Sequence, residues 1–223
     1  MQKYEINKDY FKVIDTEKKA YFLGFLYADG YINESKNNIR LALQKSDSFI
    51  LDEFRKDIYP NNDKPFITSK KQNYNDLYCL DITNKECIKD IKELGLFQNK
   101  TFLLQFPNIT QIPLELQYHF IRGYFDGDGC FTWYFNTKYI NCKFEIIGTN
   151  DFCKEIFNIL KIVPTITNLN KNLVRASNGK KKNIEYIYEY LYKDATIFLK
   201  RKQEKFLKWK LEHEKRKLNN NVS

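Results

Sequence analysis

Two nine-residue segments, FLGFLYADG at 22–30 and IRGYFDGDG at 121–129, align without gaps at a constant offset of 99 residues, so that Asp29 matches Asp128. A chain that repeats itself in this way is built from two similar units. The flanking patterns agree. Each segment leads into a short aromatic strand (31–33; 130–136), a polar turn and a second strand (39–45; 139–147). An amphipathic helix follows, opened by capping residues: Ser46/Asp47 before Ile50, Phe54 and Ile58, and Thr149/Asn150 before Phe152, Ile156 and Leu160. Two further strands come next (66–70 and 76–83; 163–169 and 173–177). Helices close each half, at 85–94 with Gly95 as its stop, and at 184–192 and 195–217. Pro107 and Pro113 interrupt the stretch between the halves. The expectation is an α+β protein with duplicated, pseudo-two-fold αββαββα repeats over 1–104 and 115–223, joined by a linker at 105–114.

Strand alternation predicts two unlike sheet faces. Ile140, Cys142, Phe144 and Ile146 oppose Tyr139, Asn141, Lys143 and Glu145; Ile39, Leu41 and Leu43 oppose Arg40, Ala42 and Gln44. One face packs on helices and the other is open and rich in hydrogen-bonding groups. An ordinary solvated sheet face has the same pattern.

Both repeated segments place glycine inside a helix, at a cost of about 1 kcal/mol each relative to alanine. Around them, Ala20, Gly24 and Ala28, and His119, Gly123 and Gly127, recur at helical spacing. Such a groove lets another backbone approach, which predicts that the two helices pack against each other. Each helix ends in Asp-Gly. Gly30 and Gly129 suit a left-handed residue just past a helix end. The aspartates oppose the helix dipole and, if the helices cross closely, each other. A divalent cation would compensate. The carboxylates of Asp29 and Asp128, with the helix-end carbonyls of Ala28 and Gly127, make an all-oxygen site suited to Mg²⁺ and substrate phosphates, the arrangement that metal-assisted phosphodiester hydrolysis needs. The alternative is a pair of helix-end turn residues with no ligand.

Composition narrows the chemistry. Thirty-seven Lys and Arg against 28 Asp and Glu give a net charge of +9, which points to a polyanionic partner, although a charged surface alone gives such an excess in many soluble proteins. Five cysteines, odd in number and never spaced C-x-x-C, argue against a disulfide framework or a cysteine zinc site. Of only two histidines, His119 lies in a helical apolar pattern and reads as a packed or capping residue, so hydrolytic chemistry rests mainly on carboxylates. There is no G-x-x-x-x-G-K-[ST] loop and no G-x-S-x-G elbow. No apolar run approaches the ~18 residues of a membrane span, and the first residues lack a signal-peptide core. The expectation is a soluble, intracellular protein (cytoplasm or organelle matrix) without membrane contact, not secreted.

The paired nonapeptides, each followed by β-β-α, resemble those of the LAGLIDADG homing endonucleases of the single-chain, two-repeat type, over about residues 15–217. The stretches at 94–101 and 191–206 also look like the ends of that family's repeats. The resemblance implies that the motif helices form the interface between repeats. It implies two antiparallel sheets forming a saddle on the major groove of a long, specific double-stranded DNA site, and a monomer. The last acidic residue of each motif, Asp29 and Asp128, binds the catalytic metals, and both strands are cut to leave short 3′ overhangs. Mg²⁺ is the implied cofactor, with Mn²⁺ substituting and Ca²⁺ binding without supporting cleavage. Homing of the protein's own intron, intein or gene is the implied role.

Less direct correspondences fall on Asp47 and Asn150, as residues that position water, with an N-cap role as the alternative. They fall also on Lys100 and Lys202, as basic residues that stabilise charge on the phosphate. The alternative there is a solvated lysine, above all for Lys202 in its basic run. Tyr27 stands where the family name has its first Asp, whereas the second motif has Asp126; Arg122 replaces a small residue and is expected to point away from the helix contact. Lys45, Lys64, Lys70, Lys71, Lys138, Lys143, Lys171, Arg175 and Lys180–Lys182 fit a DNA saddle as phosphate contacts, and Arg40, Gln44, Asn141 and Lys143 as readers of base edges. The charge-mixed 200–217 run reads first as a solvated helix and second as a backbone contact. Two other functions remain open: an RNA maturase (with intron RNA as partner) or non-cleaving DNA-binding protein on the same scaffold, and a basic α+β domain for a small ligand or protein.

Overall fold

The computed structural model describes residues 4–61, 64–69, 77–136 and 140–220. Lys70, Lys71 and Lys138, with the strand-end residues Asp76 and Tyr139, lie outside the described residues.

The first half runs α1 (Glu17–Asp29), β1 (Tyr31–Asn33), β2 (Asn38–Gln44), α2 (Ser48–Ile58), β3 (Ile67–Ser69), β4 (Leu77–Thr83) and α3 (Lys85–Glu93). The second runs α4 (Gln117–Asp128), β5 (Cys130–Phe135), β6 (Ile140–Gly148), α5 (Asn150–Ile159), β7 (Thr165–Asn168), β8 (Val174–Asn178), α6 (Lys181–Tyr192) and α7 (Lys200–Asn220). Two four-stranded antiparallel sheets result, ordered β1-β2-β4-β3 and β5-β6-β8-β7. This is the duplicated α+β architecture that the repeated pattern implies.

Polar side chains start several helices. Thr16 accepts from Lys19 N at 3.3 Å, Asn84 from Cys87 N at 3.0 Å and Thr149 from Phe152 N at 3.3 Å. Asp47 makes no side-chain cap to α2, and Thr149 rather than Asn150 caps α5. Gly95, with φ of 90°, ends α3 in the left-handed region as expected.

Gly30 and Gly129 depart from expectation. Their φ values are −68° and −83°, so neither is left-handed. A Cβ there would instead strike the turn behind it, 2.5 Å from Leu26 O and 2.6 Å from Phe125 O. The last helix also begins later than its amphipathic pattern, at Lys200 instead of 195. The reason is competition for backbone donors: Glu17 takes Thr196 N–H at 2.7 Å and Ile197 N–H at 3.2 Å, and Asp126 takes Leu199 N–H at 2.7 Å.

One apolar core runs through both halves. Phe22 stacks on Phe54 at 4.4 Å, Phe125 on Phe144 at 5.0 Å and Phe131 on Phe206 at 3.9 Å. Its centre is the α1–α4 contact. A Cβ on Gly24 would stand 2.0 Å from Phe120 O, and one on Gly123 2.0 Å from Tyr21 O. The helices therefore touch backbone to backbone. The strands turn Ile39, Leu41, Leu43, Phe144 and Ile146 inward and leave Arg40, Gln44, Asn141 and Lys143 on the opposite face.

Alanine normally strengthens a helix. Here Gly24→Ala and Gly123→Ala are expected to destabilise the protein, by about 1–3 kcal/mol or more each because backbone must move, and urea unfolding midpoints measure it.

Candidate active site at the motif-helix crossing

Because α1 and α4 are in register across the glycine contact, their last residues emerge side by side. A Cβ on Gly127 would lie 3.1 Å from Asp29 Oδ2, so this carboxylate reaches over the end of the other helix. Two residues beyond each aspartate a sheet begins, at Tyr31 and Cys130. The carboxylates of Asp29 and Asp128 thus stand where the first strands of both sheets start.

Two lysines occupy the helix ends. Lys100 Nζ donates to Gly30 O at 2.5 Å. Lys202 Nζ donates to Phe125 O at 2.5 Å, Gly129 O at 2.7 Å and Gly127 O at 3.2 Å. Lys202 is only 7% exposed, so it is no solvated lysine; carbonyls at and just past the end of α4 hold its ammonium group. These cations offset the helix dipoles. They bond to carbonyls and leave the carboxylates alone. Among the described residues neither Asp29 nor Asp128 receives a hydrogen bond or forms an ion pair.

Electrostatics records this. Burial, then the charge of Asp128, pushes Asp29 up to about 6, against the opposing pull of Lys202, Lys100 and Arg201. Burial raises Asp128 above the ordinary carboxylate value, against Lys100 and Lys202. Burial pulls Lys202 down to about 8 and lowers Lys100 as well. A cavity of about 50 Å³ adjoins Asp128, lined in part by Ala28, Lys100, Thr101 and Tyr124, with room for ordered water.

The donor set fits a hard divalent ion of incomplete protein coordination. Two carboxylates with raised pKa values and no protein partner converge, and no third His, Cys, Asp or Glu among the described residues joins them. Mg²⁺ binds in this way, through one or two carboxylates plus waters and substrate phosphates. Of the two expected carbonyls, that of Gly127 is shared with Lys202.

No protein-family model and no curated protein matches the sequence. Solved structures do. The LAGLIDADG homing endonuclease I-GzeII in complex with DNA target is 14% identical, with a TM-score of 0.61 over 92% of both chains. I-LtrWI bound to target DNA is 14% identical, with a TM-score of 0.60 over 97% of this chain and 94% of that one. I-SmaMI bound to uncleaved DNA target in the presence of calcium ions is 10% identical, with a TM-score of 0.58 over 94% of each. The chain has the single-chain LAGLIDADG homing-endonuclease fold.

Within this LAGLIDADG fold the remaining residues fall into two groups. On the open face of the first sheet, Arg40 forms a two-pronged pair with Asp81, both contacts at 2.6 Å, and Gln44 is exposed at the strand end. In the second sheet Lys143 lies 2.7 Å and Arg175 3.8 Å from Glu145, and Asn141 pairs with Tyr134. Lys180 is exposed just past β8, where its N–H donates to Asn178 Oδ1 at 2.9 Å. Lys45 and Lys171 are also exposed outside the strands. Lys64 lies 4.8 Å from the Tyr4 ring centre, and Lys181 lies 3.7 Å from Glu185. Asn150 Nδ2 reaches Asp151 at 3.3 Å. Asp47 is 6% exposed and grips Arg201.

Arg122 does not simply point away from the helix contact. Fully buried, it bonds Glu17 of α1 at 2.6 Å and the carbonyls of Leu191 and Ile197 at 2.8 and 3.0 Å. His119 is packed beside it, and burial and Arg122 lower it to about 4. Asp126 accepts from Tyr21 at 2.8 Å and Leu199 N–H at 2.7 Å, while Tyr27 donates to Leu94 O at 2.5 Å.

Sequence reasoning singled out neither Glu17, Asp81 and Arg201 as partners nor Glu145 as the acidic hub of its sheet. Only β-strand register brings Asp81 to Arg40, and only the chain's return brings Arg201 to Asp47. Arg201 carried one signal, its place beside Lys202.

Since Asp128 contributes to the elevation of Asp29, NMR titration should find the Asp29 midpoint near 6 and find it lower in Asp128→Asn. It stays above the ordinary value there, because burial persists.

Proposed function

We propose that the protein is a sequence-specific endonuclease that uses a divalent metal to hydrolyse one phosphodiester bond in each strand of a long double-stranded DNA site, leaving short 3′ overhangs. The observation that carries this reading is the pair Asp29 and Asp128, two unpartnered carboxylates at the start of both sheets. The solved relatives of the same fold, bound to DNA, support the choice of substrate. A pure binder has no use for two mutually repelling carboxylates.

In this reading Asp29 and Asp128 hold Mg²⁺. The ion supplies a Lewis acid for the phosphate and a more acidic bound water; Mn²⁺ substitutes, and Ca²⁺ binds without cleavage. Arg40, Gln44, Asn141 and Lys143 face base edges in the major groove. Arg175, Lys70, Lys71 and Lys180 meet phosphates and give binding its salt dependence. Asp81 holds Arg40 in a fixed direction before DNA arrives, and Glu145 keeps a negative charge beside Lys143 and Arg175. Lys100 and Lys202, whose pKa values burial lowers against the opposing pull of neighbouring carboxylates, balance the charge that develops on the phosphates. Asn150 and Asp47 lie at the ends of the second strands, where they orient solvent or other polar groups. The protein acts as a monomer, since one chain carries both repeats. Its role is the homing of its own intron, intein or gene.

Selection of cleaved sites from a randomised duplex library in Mg²⁺ identifies the target. On that target Asp29→Asn and Asp128→Asn are each expected to lower double-strand cleavage by about a thousandfold or more, with binding changed far less. Full activity in EDTA, or normal cleavage by both variants, overturns the reading. Protons compete with the metal for Asp29, so cleavage should fall as pH drops through about 6; a single-turnover pH profile measures it.

A further inference from the structure

A third cation stands beside the crossing, and it serves one side only. Arg201 precedes Lys202 at the start of α7. Its Nε lies 3.2 and 3.0 Å from Asp47 Oδ1 and Oδ2, and its Nη2 lies 2.9 Å from Oδ2. Asp47 follows β2 of the first half, so this pair ties the halves together; next to it, Lys200 Nζ sits 5.7 Å from the Phe49 ring centre. The two partners differ in exposure. Asp47 is almost enclosed, whereas the Arg201 side chain is 53% exposed. A guanidinium held by Nε and Nη2 keeps the donors of Nη1 for another acceptor, in a plane that is already set.

The pseudo-two-fold counterpart of this pair carries no charge. Lys100 and Lys202 occupy matching helix-end places, so Asn99 corresponds to Arg201; Asn150 corresponds to Asp47. Asn99 is exposed in left-handed backbone with φ of 61°, and Asn150 reaches only its neighbour Asp151, at 3.3 Å. Arg201 acts electrostatically on Asp29 and is not among the groups acting on Asp128.

We infer that Arg201, aimed by Asp47, clamps a phosphate of one DNA strand beside Asp29, and that this makes the two strand cuts unequal. The inference rests on the nuclease reading above. Nη1 donates to a non-bridging phosphate oxygen, while Asp47 is a positioning residue that fixes the guanidinium plane. Among the described residues nothing equivalent backs Asp128, so the strand at Asp29 is cut first and the other is cut in the nicked duplex.

Two measurements test it. The first is cleavage of a supercoiled plasmid bearing the selected site, with each strand resolved on denaturing gels. The protein should accumulate a nicked circle broken in one particular strand. Arg201→Gln and Asp47→Asn should slow that cut about tenfold or more and leave the other little changed, which removes the strand order. Asn99→Arg combined with Asn150→Asp should speed the second cut and shrink the nicked pool. The second measurement is phosphate-ethylation interference on DNA bound without divalent metal. One strand should carry a phosphate whose ethylation weakens binding by the protein and not by Arg201→Gln.

Equal cutting of both strands by the unaltered protein overturns the clamp and leaves the nuclease reading standing. So does a lower unfolding temperature in Arg201→Gln with strand order retained. Ethylation interference on one strand without any cleavage supports the clamp and overturns the nuclease reading. Failure to bind any duplex overturns both.

Discussion

With no side chain at Gly24 or Gly123, the carbonyls of Phe120 and Tyr21 enter the space that a Cβ would fill, and α1 and α4 meet backbone to backbone. Much of the molecule follows from that approach. Each aspartate follows its contact glycine by five residues, so Asp29 and Asp128 emerge together, and the strands that follow start close by. A wider crossing, set by alanine or leucine, would separate both the carboxylates and the sheets. The helix-propensity penalty of two interior glycines, about 1 kcal/mol each, is therefore a condition for the site.

The electrostatics at this point divides between two kinds of group. Helix ends expose carbonyls that need donors, and Lys100 and Lys202 supply them. The carboxylates are left out of that arrangement, close to each other and partly desolvated, and their pKa values rise. A structure selected for stability alone would place asparagine or lysine there. Natural folds break local rules of this kind where they bind or react, and the surrounding packing holds the strained group in place.

What sequence could reveal depended on how local the cause was. The motif helices, the succession of strands and helices along each half and the alternating faces follow from periodicity and from the repeat itself, so their outline was legible; the order of strands within each sheet was not. Gly30 and Gly129 were legible as glycines but for the wrong reason, since a clash with Leu26 and Phe125 excludes a Cβ while φ stays negative. The start of α7 was misread because its amphipathic pattern continues backward through residues whose N–H groups are claimed by Glu17 and Asp126, from helices far away in the chain. For Lys202 the run of charge left a solvated lysine open beside the phosphate-stabilising role, and only its fit against the end of α4 explains its burial.

The asymmetry of the two halves has its own logic. In a two-fold dimer of identical chains every contact from one residue to another is matched by its mirror contact. A chain that carries both repeats is free of that constraint. Arg122 reaches Glu17 across the crossing, while the matching positions in the opposite sense are Leu23, fully buried, and Leu116. Tyr27 donates a hydrogen bond to the end of its own half, whereas Asp126 accepts one from the end of its half. Glu17 and Asp126 together hold residues 196–199, which delivers Arg201 and Lys202 to the crossing from one side. The pseudo-two-fold frame sets where two aspartates stand, and the unequal pairs set what each of them faces.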